Sequence, residues 1–144
     1  ASIARPGRKA RCSMKQPELV RLLLHKARQD EAVLAKLVGD AELDDETLGF
    51  HAQQAVEKLL KAWLAHSGVD YPKLHSLETL IELLRANGQE LPEELSDLDY
   101  LTPFATVFRY EELPLATAFD RNAALEFVRK VRAVVEAQVN PPTP

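Results

Sequence analysis

Apolar positions recur at three-to-four spacing through most of the chain. From Pro17, placed at a first helical turn, Leu19, Leu22, Leu23, Lys26, Asp30, Val33, Leu34 and Leu37 predict a helix over 17–38 that stops at Gly39. Asp44 and Asp45 offer capping oxygens to a second helix over 45–67, with Gly68 as its C-terminal residue. After the turn-rich link "GVDYPKLH", Ser76 can cap a short third helix over 77–87, whose face of Leu77, Leu80, Ile81 and Leu84 ends at Gly88. Pro92, Glu93 and Glu94 open a fourth helix that continues through Leu95, Leu98, Leu101, Ala105 and Phe108. Pro103 removes a backbone donor inside that pattern, so the helix kinks there or restarts with Thr102 as its cap. Asp120 can cap a last helix over 121–138 along the stripe Leu125, Val128, Val131, Val135 and Val139. No segment alternates with period two. The pattern predicts an all-α protein, an antiparallel up-and-down helical bundle of four long helices and a shorter one.

Length confines this pattern to one domain, because 144 residues suffice for a single core and not for two ordinary ones. Residues 1–13, "ASIARPGRKARCS", mix Pro, Gly and Ser with four basic residues and show no periodicity. They read as a disordered basic leader, an extension ahead of a start at Met14; the domain then runs over 14–140, and 141–144 read as a disordered tail. No apolar run reaches the roughly 18–20 residues of a membrane span. The single Cys12 cannot form an internal disulfide, which fits a cytoplasmic protein in a reducing compartment and also fits many exported proteins; the cytoplasm is the expectation. The chain carries −4 overall, and near −8 once the leader's bases are set aside, so general nucleic-acid binding is not expected.

Within the second helix, "GFHAQQAVEKLLKAWLAHSG", an apolar arc of Leu48, Ala52, Val56, Leu59, Leu60 and Trp63 predicts the core face. The other side holds Gln54, Glu57 and Lys61. Glu57 precedes Lys61 by four residues in the favourable order, as expected of a solvated face. Phe50 lies on this side too and needs cover from a loop, another helix or a second subunit, which makes Phe50 and Gln54 candidates for a partner surface. Between the two faces run His51, Ala55, Lys58, Ala62 and Ala65, where small residues admit a close neighbouring helix. His51 and Lys58 would then stand beside a groove as ligand contacts, or as a hydrogen-bonded border histidine and a lysine reaching for water.

Catalytic templates are missing. His25, His51, His66 and His75 show no metal-ligand spacing, so no metal and no cofactor are expected. Phosphate loop, nucleophile elbow and paired cysteines are all lacking, and the acid pairs Asp44–Asp45, Glu93–Glu94 and Glu111–Glu112 read as helix starts or loop charges. No catalytic residue is assigned.

Three segments together carry a resemblance: "HKARQDEAVLAKLV"; "FHAQQAVEKLLKAWLAHSG" with the following "HSLETLIELL"; and "LTPFATVFRYEE". They resemble successive parts of bacterial and archaeal HEPN-domain proteins of the type associated with minimal nucleotidyltransferases, over roughly residues 19 to 135. The family's "FHAQQAAEKxLKA" falls on Phe50 through Ala62, its "HxL" on His75 to Leu77, and its "LTPxAxxxRYP" on Leu101 to Glu111, where Glu111 replaces proline. Asp30 matches a frequent acidic position. Glu31 replaces a customary leucine and looks like surface drift. The resemblance implies a small helical bundle, a homodimer, and pairing with a minimal nucleotidyltransferase protein in a toxin–antitoxin system.

Nuclease members of the wider superfamily place a histidine after an arginine with four to six residues between. Here Arg21 and His25 leave three between them, and no histidine follows Arg109. Without that histidine a general acid–base contribution of about 10²- to 10⁴-fold is lost. The leading expectation is therefore an interaction protein, with a nucleotide in a groove formed by His51, Lys58, Lys61, Arg109 and Tyr110: cations on phosphate, Tyr110 on the base. Arg109 is equally explained as a cation at a helix C-terminus. The alternatives are a ribonuclease toxin using Arg109 with His51 or His75, and a purely structural dimerisation module.

Overall fold

The computed structural model describes residues 16–71, 73, 76–95 and 120–140. These form α1 (Gln16–Leu37), α2 (Asp45–His66), α3 (Leu77–Ala86), a single 3-10 turn at Glu93–Leu95 and α4 (Arg121–Val139). Among the described residues there is no strand. Each predicted helix stands within one residue of its expected limits except the fourth, which lies outside the described residues beyond Leu95.

Local chemistry accounts for most of the helix ends. Ser76 Oγ accepts from the Thr79 amide at 3.3 Å and Asp120 Oδ1 from the Ala123 amide at 3.0 Å, each satisfying an orphan donor of the first turn. Asp44 also occupies an N-cap position, but its side chain makes no capping hydrogen bond, contrary to expectation. Asp45 serves elsewhere: Arg121 Nε donates to its carboxylate at 2.7 Å. Gly68 and Gly88 adopt φ of 73° and 78°. After each, the chain turns back, with the Val69 amide on the Leu64 carbonyl and the Gln89 amide on the Leu84 carbonyl, both at 2.9 Å. Gly39 shows no such left-handed turn, so α1 stops without the glycine device expected there.

Ion pairs reveal the helix directions. Arg28 and Glu31 of α1 meet Glu136 and Arg132 of α4, so α1 runs antiparallel to α4, and the short link between Leu37 and Asp45 turns α2 back along α1, where Asp30 meets His51 and Lys58. Arg121 fastens the start of α4 to the start of α2 through Asp45 and also donates to the Asp40 carbonyl at 2.8 Å and to the Leu43 carbonyl. Consequently α2 and α4 run parallel.

The core lies around α2, which packs against α1, α3 and α4. Trp63, Leu48, Leu59, Leu60 and Leu64 are fully buried on it and meet Leu34 of α1, Leu80 and Leu84 of α3 and Val128 of α4 in one cluster. Ala55, Ala62 and Ala65 are buried as well, in keeping with the close helix approach their size allows. One expectation fails here. The side of α2 read as solvated is not: Glu57 is 3% exposed and the Lys61 side chain 15%. α2 is buried almost all round, as the central helix of a bundle is, and its polar side chains have to be satisfied inside the protein.

Candidate functional site

Asp30, on the flank of α1, lies opposite the middle of α2. Its Oδ1 stands 3.2 Å from His51 Nδ1, and its Oδ2 accepts a hydrogen bond from Lys58 Nζ. His51 and Lys58 are seven residues apart, two turns along one face of α2, so a single carboxylate between them reaches both. Side-chain exposure is 14% for Asp30 and 26% for each of its partners, which puts the cluster at the border between core and solvent. The Phe50 ring stands edge-on to the imidazole, centroids 5.6 Å apart and planes at 70°.

A second pair lies one turn further on. Lys61 Nζ donates to Glu57 Oε1 at 2.7 Å and stands 5.6 Å from the centre of the Tyr71 ring, a cation over an aromatic face. Both lysines expected to meet phosphate are thus engaged by carboxylates, and so is the histidine.

On the far side of α1, Arg132 Nε donates to Glu31 Oε1 at 2.7 Å while Arg28 holds Glu136 at the same distance. The hydrogen bond it donates to Glu31, supported by the charges of Glu31 and Glu136, holds the Arg132 guanidinium above its usual range although burial pulls the other way. Glu31 is therefore no product of surface drift: its carboxylate ties α1 to α4.

Of the sequence-derived site, the structure brings together His51 and Lys58 with Phe50 beside them, and sets Lys61 on Glu57. Gln54 is half-buried on α2. Arg109, Tyr110 and His75 lie outside the described residues. Asp30 was noted in the sequence only as an acidic position, yet it organises the cluster. A register argument could have found it: a tight link at 38–44 folds α1 back along α2 and sets residue 30 opposite residues 51 to 58. Among the described residues no three His, Cys, Asp or Glu side chains converge as a metal site would require, and no helix is long and apolar enough to cross a membrane.

Compared with known families, residues 20–140 match the family model of the HEPN domain. No curated protein and no solved structure matches the chain.

Proposed function

The chain belongs to the HEPN-domain family, and from that premise we propose that it works as a non-catalytic interaction domain, a homodimer that pairs with a minimal nucleotidyltransferase protein in a toxin–antitoxin system. The observation that carries this reading is the Asp30–His51–Lys58 cluster. A ribonuclease site would set its histidine among cations that meet a phosphate, whereas His51 shares one carboxylate with the nearest lysine. With Lys61 paired to Glu57 as well, the described part of α2 presents no uncommitted cation among the residues expected to meet phosphate. An RNA backbone or a nucleotide would have to displace those carboxylates, while a protein surface would not. The acidic balance of the chain supports the same preference.

Co-expression with the product of the neighbouring reading frame tests the pairing: that product is expected to be a minimal nucleotidyltransferase that co-purifies with this chain, and light scattering is expected to show a dimer of this chain. Incubation with total RNA tests the enzymatic alternative. Intact RNA is expected, and cleavage that disappears in His51→Ala would overturn the reading in favour of a nuclease.

A further inference from the structure

We propose that Asp30 is a positioning residue that fixes His51 as the tautomer protonated at Nδ1, leaving Nε2 as a hydrogen-bond acceptor for a hydroxyl or amide group of the protein partner. This deepens the interaction reading above and rests on it for the identity of the occupant.

Each group in the cluster constrains the next. The Lys58 ammonium donates to Oδ2, so Oδ1 is the carboxylate oxygen left for the imidazole. An ionised carboxylate has no proton to give, so the bond at Oδ1 requires the proton on Nδ1 of the imidazole. In a neutral ring the proton on Nδ1 leaves a lone pair on Nε2. The Phe50 ring packs edge-on to the imidazole in this orientation, in which Nδ1 and not the ring carbon Cδ2 faces Asp30. The hydrogen bond to Asp30 is the only one His51 makes among the described residues, and Nε2 is not among the buried atoms left without a partner. It is therefore open to a donor from outside.

Charge then selects the donor. The charges of Asp30 and Lys58 cancel, so the pair offers no net positive charge with which to attract a phosphate. A neutral O–H or N–H donor needs no such charge and fits the lone pair. An RNA 2′-hydroxyl would also donate, but it arrives with phosphates on both sides and meets an acidic protein.

Long-range proton–nitrogen correlation spectra of the full chain labelled at histidine nitrogen, taken at about pH 8 where imidazole is ordinarily neutral, read the tautomer directly. A pyrrole-type Nδ1 and a pyridine-type Nε2 are expected for His51; the reverse assignment overturns the proposal. Millimolar inorganic phosphate is expected to leave these signals in place, and a phosphate-dependent shift of His51 overturns the choice of donor, as does a shift on adding a short RNA. In calorimetry against the co-purified nucleotidyltransferase, His51→Leu is expected to bind about three- to tenfold more weakly, the loss of one hydrogen bond. Wild-type binding that His51→Leu leaves unchanged overturns this inference alone. Absence of wild-type binding overturns the earlier reading and the occupant named here with it.

Discussion

Lys61→Met distinguishes a solvated helix face from a buried one by an order of magnitude. On an exposed helix a Glu–Lys pair four residues apart stabilises by about 0.2–0.5 kcal/mol, and its loss would be close to the error of an unfolding experiment. Here the side chains are 4% and 15% exposed and the contact is 2.7 Å. At an effective dielectric constant of about 20, opposite charges at that separation attract by about 6 kcal/mol, most of it offset by the cost of taking them out of water. Removing the lysine charge withdraws the attraction and leaves the carboxylate's cost in place, so the expected loss is about 3–5 kcal/mol, with a small share from the Tyr71 contact. Methionine keeps the length and volume, which limits the effect of packing. For a chain of this size the change lowers the melting temperature by about 10–17 °C. The single Trp63, 2% exposed beside the pair's helix turn, provides a fluorescence probe of unfolding independent of circular dichroism. A double-mutant cycle with Glu57→Gln should give a coupling of at least about 1.5 kcal/mol. A loss below about 0.5 kcal/mol for Lys61→Met, with coupling near zero, would refute the burial argument and restore the solvated face.

Three further outcomes follow from the helix ends and the contact of α1 with α4, each read by chemical or thermal unfolding. Glu31→Leu, which installs the residue customary in resembling sequences, is expected to destabilise by about 1–3 kcal/mol because it leaves Arg132 without its closest acceptor, and adding Arg132→Leu is expected to recover most of that loss. Asp120→Ala should cost about 1 kcal/mol through the lost cap on Ala123, whereas Asp44→Ala, whose side chain caps nothing, should stay within about 0.5 kcal/mol of the parent. Gly68→Ala should cost about 1–2 kcal/mol, and the cause is the left-handed backbone alone, since an added methyl group meets nothing within 4 Å.

Helix limits were legible because they depend on neighbours in sequence. Ser76 and Asp120 cap the amide three residues on, and Gly68 and Gly88 supply a backbone conformation that other residues resist, so each signal is complete within a few positions. Asp44 and Asp45 show where such reading stops. Both have the composition of caps, and either could have bonded the first turn of α2. Arg121, distant in sequence, takes Asp45 instead, and nothing in the local sequence announces it. Glu31 and Arg132 teach the same lesson across α1 and α4: an acid in place of a leucine looks like drift until its cation is seen.

The misreading of Glu57 has a different cause. A helical wheel sorts residues by polarity and assumes that one side meets water, which holds for a helix at the surface and fails for one surrounded by others. Phe50 and Gly49 on α2 were the contrary signals, an aromatic and a residue without a side chain on a helix whose polar groups stay close to their own charges. Once α2 is central, its charged residues must come with partners, and both lysines do: Lys58 on Asp30 and Lys61 on Glu57. The same requirement separates structural charge from functional charge at this site. Lys58 and Lys61 have carboxylates to satisfy, so their presence in a groove is no argument for phosphate, while among the described residues the imidazole of His51 keeps one nitrogen uncommitted after Asp30 has taken the other. Candidate chemistry on such a helix is better sought in the hydrogen-bonding capacity left over after the internal pairs are formed than in the list of polar residues it carries.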